Sequence, residues 1–343
     1  MENKTNTKVL IIGASGFLGG YIVEKCLREG YNVRAGFKNI LDEKYRQHFP
    51  DNVEWVPLDI LNLDSLREAM EGMDIVVNTA AMVTFDSSRK KEAFSLARDG
   101  TTNILEVAVE YNIRKFIHVS SVAAIGRKKM ENYIDEKVIF SHSPYDTVYG
   151  LSKFLAEQEV WRAYYEGLPV TILNPSFILG ASFWGKSSTK IFTSLKNGLR
   201  YFPVGITGFV DVRDVADAVV KSFDEKFNGE RFIISAENVS YESVFKKIHQ
   251  TLKLPQKLKP LSPSLTGIAW RWAKITSFFN GKEAIITKDK TISTKTLSYY
   301  DNTKSKDVLG LSYKNIQETL VETSLLYLND VKNNNAFSFL PNK

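Results

Sequence analysis

Between Lys8 and Ser121 short β-branched runs alternate with segments long enough for a helix, and no other feature limits the fold as strongly. "KVLIIG", "YNVRAGF", "VEWVPLD", "DIVVNTA" and "KFIHVSS" read as strands. "GGYIVEKCLREG", "LDSLREAMEG" and "TTNILEVAVEYN" carry apolar residues at helical spacing, with Asp64 and Thr101 as start signals. Near-continuous apolar strands must be covered on both faces, and helical crossovers return the chain in the same direction. The expected fold is α/β, a doubly wound parallel sheet.

After Ser121 the pattern loosens into a polar loop, then a helix near Tyr149, a strand "PVTILNPSFILG", a helix near Ser187–Asn197 and "GFVDVRDVADAVVKSF". From about Leu252 proline, lysine and aromatics mix. The expected division is a dinucleotide-binding domain over 1–175, with 205–240 returning to it, and a smaller C-terminal substrate lobe from 176–204 and 241–335.

The 343 residues are 43% hydrophobic, enough for a sizeable core. The single cysteine, Cys26, forms no internal disulfide, which suits a reducing compartment. The polar "MENKTNTK" contains no signal-peptide core, and no apolar run is long enough to span a bilayer, so a cytoplasmic protein without an integral membrane segment is expected. The net charge of +6 is scattered and accompanies no nucleic-acid reading motif, so no nucleic-acid partner is expected. No metal site is expected either.

"GASGFLGG" stands at the first strand-to-helix junction with Gly13, Gly16 and Gly19 three residues apart. Such a turn lets backbone approach a pyrophosphate while the helix N-terminus offers N–H groups to it. Ser15, Phe17 and Leu18 complete the cradle. An acid at the end of the second strand would favour NAD(H), and a cation NADP(H). Here Phe37 and Lys38 occupy that place, with Arg34 and Lys44 nearby, so NADP(H) is preferred and NAD(H) is the alternative. Asp59 and Ile60 of "PLDI" are placed to frame the adenine, or Asp59 to start a helix; Ala80 closes the next strand.

"YDTVYGLSKFLAEQ" puts Tyr149 and Lys153 on one face of a helix in its first turns. An ammonium nearby favours the ionised phenol and makes it a proton shuttle. "HVSSVAAIG" offers Ser120 or Ser121 at a parallel strand end to orient a carbonyl and share its developing charge. Phe85, Tyr145, Phe183, Trp184 and Phe209 are candidates for an apolar substrate pocket. "GIAWRWAKITSFFNGK" reads as a lid or lobe helix.

Taken together, "GASGFLGG", "VSSVAAIG", "YGLSK", "LNPSFILG" and "FVDVRDVADA" resemble the extended branch of the short-chain dehydrogenase/reductase superfamily over about residues 8–225. Within it the chain is similar to the dihydroflavonol reductase and hydroxysteroid dehydrogenase group. The resemblance implies a Rossmann fold, a homodimer through two helices, and catalysis by Ser121 (or Ser120), Tyr149 and Lys153, with Asn103 in support. It implies that Asn174–Ser176, including Pro175, lie near the nicotinamide. Val122, Ala123 and Ala124 replace the acid and base of sugar-nucleotide dehydratases, and Ala97 replaces an asparagine common in sugar-nucleotide members. The expected activity is NADPH-dependent reduction of a ketone or aldehyde on a largely apolar small molecule, dihydroflavonol- or steroid-like. The alternatives are a nucleotide-sugar epimerase with tightly held NAD and a non-catalytic NAD(P)-sensing protein.

Overall fold

The structure is a computed structural model that describes residues 4–39, 41–84, 86–126, 133–142, 146–261 and 297–342. Strand β1 (Lys8–Ile12) leads through α1 (Phe17–Arg28), β2 (Asn32–Phe37), α2 (Glu43–Gln47), β3 (Glu54–Pro57), α3 (Leu63–Met70), β4 (Ile75–Asn78) and α4 (Lys90–Glu110) to β5 (Lys115–Val119). After β6 (Tyr133–Ile134) follow α5 (Val148–Tyr165), β7 (Val170–Pro175), β8 (Phe177–Leu179), α6 (Lys190–Lys196), β9 (Tyr201–Phe202), β10 (Ile206–Asp211) and α7 (Val212–Lys221). Then come β11 (Glu230–Ile234), β12 (Glu237–Ser240), α8 (Tyr241–Thr251), β13 (Lys259–Pro260), β14 (Tyr299–Tyr300) and the helices Thr303–Asp307 and Ile316–Asn333.

Seven strands form one sheet in the order β11-β7-β5-β4-β1-β2-β3, and every pairing is parallel. The chain winds outward from β1 to β3, then crosses back to β4 and winds the other way. The order therefore reverses between β1 and β4, which opens a crevice at their carboxyl ends. Alternation along each strand feeds two cores. Val9 and Ile11 of β1 join Val77 and Ile117 on one face, with α1 and α7; Leu10 and Ile12 join Val76 and Phe116 on the other, with α3, α4 and α5. All eight side chains are at most 1% exposed, and each such burial is worth about 1.5–3 kcal/mol relative to exposure.

Three readings change. The segment "PVTILNPSFILG" is two strands in two sheets: β7 stays in the main sheet, where the ladder to β11 runs past Pro175 to the Ser176 N–H donating to the Ile234 carbonyl at 3.0 Å, and β8 pairs with β10. The strand that returns to the main sheet is β11, whereas β10 joins β8 and β12 in a second, three-stranded sheet. The helix start signals also shift. Asn62 caps α3 by accepting from Ser65 N–H at 3.1 Å, and Thr101 lies buried inside the 21-residue α4. Among the described residues no helix is long and apolar enough to cross a membrane. All of "GIAWRWAKITSFFNGK", read as a lid or lobe helix, falls outside the described residues, as do Phe85 and Tyr145.

Candidate active site

A cleft of ≈ 790 Å³ occupies the crevice, lined at one end by Gly13, Gly16, Phe17, Leu18 and Gly19. Gly13 turns the chain with φ +88°, a conformation that disfavours side chains. The turn is tied to the neighbouring strand by Gly13 and Ala14 N–H groups donating to the Gly36 carbonyl at 3.2 and 3.0 Å. A Cβ on Gly19 would sit 2.2 Å from the Gly13 carbonyl oxygen, so helix and turn meet at contact distance. Gly16 occupies the N-cap of α1 and supplies no side-chain cap. The first-turn N–H groups of α1 are therefore left for a ligand's oxygens. Ser15 stands half-buried and outside the lining.

Lys38 and Asp59 find each other: the ammonium lies 3.1 Å from the carboxylate, both about half exposed at the edge beyond β2 and β3. The Lys38 hydrogen bond and the Leu61 N–H hold the Asp59 carboxyl below its ordinary range despite its partial burial. Arg34 is not a phosphate candidate. It sits mid-strand on β2 and donates to Glu54 and to the Ala69 and Glu71 carbonyls. Ile60 is buried, and a Cβ on Gly100 of α4 would meet it at 2.6 Å. Ala80 N–H donates to Asn78 Oδ1 at 3.0 Å. Asn103, expected to support catalysis, fastens α4 to the turn after β3 by donating to the Ile60 carbonyl at 3.1 Å, and it lies outside the cleft lining.

Farther along the cleft, Ser120, Ser121, Tyr149, Lys153, Pro175 and Ser176 converge from β5, α5 and β7. Thr147 caps α5 by accepting from Gly150 N–H at 3.0 Å, which places Tyr149 in the first helical turn. The Tyr149 phenol and the Ser121 hydroxyl line the same part of the cleft. Ser121 Oγ accepts from Ala123 N–H at 3.2 Å, which singles it out from Ser120, whose buried hydroxyl has no partner among the described residues.

The electrostatics differ from the expectation. Burial pushes the Tyr149 phenol above its ordinary value, and the nearby Ser121 hydroxyl acts in the opposite direction. The Lys153 ammonium donates to the Val119 carbonyl at 2.9 Å, and burial, partly countered by Glu157, lowers it to about 8. The phenol is thus held as a protonated donor.

On the substrate side the expected aromatics mostly serve the core. Trp184 donates its indole N–H to Asp330 at 2.7 Å and packs edge-on against Tyr327 of the helix Ile316–Asn333. Phe183 stacks on Tyr45, and Phe209 is 1% exposed. Val83, Phe140, Phe177, Ile178, Lys190 and Tyr300 line the cleft instead. They come from separate segments, so no local spacing marks them.

These residues suit a nicotinamide dinucleotide: a glycine cradle that a Cβ would fill at one end, and at the other the buried Ser120 and Ser176 hydroxyls, which have no partner among the described residues. Residues 9–235 match the model of the NAD dependent epimerase/dehydratase family. The chain belongs to this family. Family members are NAD(P)-dependent oxidoreductases and epimerases, and this chain is an enzyme acting between CH–OH and C=O. It is 29% identical to a Synechocystis sp. protein provisionally named dihydroflavonol 4-reductase, over 91% of this chain and 92% of that one. It is 26% identical to cinnamoyl-CoA reductase 1 of Petunia hybrida, over 94% and 92%. The fold is shared with Gre2 of Candida albicans, solved with NADPH, at a TM-score of 0.74 and 23% identity over 94% and 99% of the two chains.

Proposed function

We propose that the protein is an NADPH-dependent reductase of a ketone or aldehyde on a largely apolar small molecule, dihydroflavonol- or steroid-like. The observation that carries this reading is the convergence of Ser121, Tyr149 and Lys153 in one cleft that begins at the glycine cradle. Gly13, Gly16 and the α1 N-terminus would hold the pyrophosphate, Lys38 the 2′-phosphate, and Ser176 the nicotinamide end. When bound, the dinucleotide supplies the hydride. Ser121 holds the carbonyl oxygen by donating to it, and Tyr149 gives that oxygen its phenolic proton as the alkoxide forms. The positive charge of Lys153, four residues on, offsets the negative charge left on the phenolate. Val122, Ala123 and Ala124 bring no acid or base to this place, so the chemistry stops at the alcohol. Val83, Phe140, Phe177 and Ile178 give the substrate an apolar wall.

Titration with NADPH and NADH by nicotinamide fluorescence, after testing the purified protein for retained cofactor, is the first check. Preferential NADPH binding, carbonyl reduction by the wild type, and loss of turnover in Tyr149→Phe with NADPH binding intact are expected. Retained NAD(H) without net turnover would replace this reading by an epimerase, and near-normal activity of the Phe variant would remove Tyr149 from the mechanism.

A further inference from the structure

Directly behind the reacting groups lies a buried charged cluster that the mechanism above does not use. Tyr149, Lys153 and Glu157 follow each other at intervals of four along α5 and share one face. Glu157 is 1% exposed. One of its carboxylate oxygens accepts from Asn174 Nδ2 at 2.6 Å, and the other is ion-paired with Arg231 of β11. The Arg231 guanidinium in turn covers the ring of Trp161, the next residue on that face, 5.6 Å from its centroid. Asn174, fully buried at the end of β7, also donates from Nδ2 to the Ser121 main-chain carbonyl at 2.8 Å. An amide nitrogen carries two hydrogens, one for each acceptor. Arg231, Glu157, Asn174 and Ser121 therefore form a continuous chain ending at the main-chain carbonyl of the residue whose hydroxyl faces Tyr149.

The same carboxylate is the acid nearest in sequence to Lys153, and its field favours the ammonium. The other groups around Lys153 do not replace it. Tyr149 is a phenol on the same helix, and His118 of β5 is buried and held well below the usual histidine range, so it stays neutral. From α4, Ala97 and Thr101 approach without charge. Arg231 reaches the centre only through Glu157.

We propose that Glu157 is a positioning residue of this centre, which through Asn174 anchors the Ser121 main chain beside Tyr149 and by its charge retains the proton on Lys153. The proposal rests on the reading of Ser121, Tyr149 and Lys153 as the reacting groups.

Its two halves separate in two substitutions. Glu157→Gln keeps an oxygen to accept from Asn174 and lacks the charge; Glu157→Leu lacks both. The double variant E157Q/R231Q removes the charge with its counter-ion, which avoids a buried unpaired guanidinium should the single variant fold poorly. In protein labelled with ¹³C at lysine Cε, the signal lost in Lys153→Arg is followed through a pH titration. The midpoint in E157Q and in E157Q/R231Q is expected about one pH unit below wild type. An unchanged midpoint in either folded variant overturns the charge half. In carbonyl reduction, plateau kcat of E157L is expected on the order of tenfold below wild type, with E157Q restoring most of it and NADPH affinity unchanged. Equal plateau kcat in E157L and E157Q overturns the anchoring half. A wild type that binds NADPH yet reduces no carbonyl, while the midpoint shift persists, would overturn the reductase reading and support the Glu157–Lys153 coupling.

Discussion

A methyl group on Gly19 would lie 2.2 Å from the Gly13 carbonyl oxygen and 2.8 Å from Ala14 Cα, both backbone atoms that cannot rotate away. Gly19→Ala must therefore push α1 off the turn. The expected result is NADPH affinity lower by on the order of tenfold or more, with a lower Tm, read by fluorescence titration and a thermal melt. Lys153 makes a prediction of pH dependence. Its folded value of about 8 lies below the 10.5 of the free side chain, so between those values the unfolded chain binds more protons. Stability contributed by this group thus rises with pH from about 8, and Tyr149, shifted the other way, limits the window to below about 10. Denaturant unfolding at pH 8 and pH 10 should show a gain on the order of 2 kcal/mol less in Lys153→Met than in wild type. An equal gain in both would mean that Lys153 titrates normally. The residues that the sequence makes legible are those whose place follows from local geometry: glycines at a strand end, the Ser120–Ser121 pair at another without a choice between them, Tyr149 and Lys153 one turn apart. Asp59 beside Lys38, Ile60 beside Asn103 and Asp330 beside Trp184 are long-range partners, and no local pattern announces them. Glu157 was readable, since it continues the interval from Tyr149 to Lys153, but its partners on β7 and β11 were not.

At the scale of elements, α5 delivers Tyr149 and Lys153 to the cleft, and Thr147 sets where it begins. The Thr147 hydroxyl accepts from Gly150 N–H at 3.0 Å, and a Cβ on Gly150 would come within 2.9 Å of the Ala123 carbonyl that follows Ser121. The helix start is thereby pressed against the serine turn. Thr147→Ala should cost about 1 kcal/mol of stability by loss of the cap. Because the first turn carries Tyr149, kcat should fall while Thr147→Ser restores both quantities; a stability loss with kcat unchanged would show that the cap only holds the helix. The main sheet was legible because each strand is a continuous apolar run bounded by a helix. The second sheet was not, because β8 has three residues, β12 is partly exposed and their partner β10 reads like a strand of the main sheet.

Across the whole molecule, the last turns of the chain brace its first βα unit. Leu340 N–H donates to the Tyr21 hydroxyl of α1 at 2.8 Å, which donates to the Ala181 carbonyl at 2.8 Å. Arg213, buried against Asp211, donates to the Pro341 carbonyl at 2.7 Å. Phe339 stacks on His48 and tilts against Tyr45, whose hydroxyl donates to the Ala14 carbonyl inside the glycine turn at 2.8 Å. A Cβ on Gly20 would strike both the Tyr45 hydroxyl and the Phe339 ring, so this strap fills the space behind the cradle. Removing residues 336–343 would expose Tyr45 and Phe49 and leave the Ala14 carbonyl held by an unsupported phenol. The truncated chain should melt lower and bind NADPH on the order of tenfold more weakly, while Phe339→Leu, which keeps the backbone bonds, should lose less of both. If the truncated chain melts lower but binds NADPH with wild-type affinity, the strap supports the core alone and the glycine turn holds its shape from β1, β2 and α1.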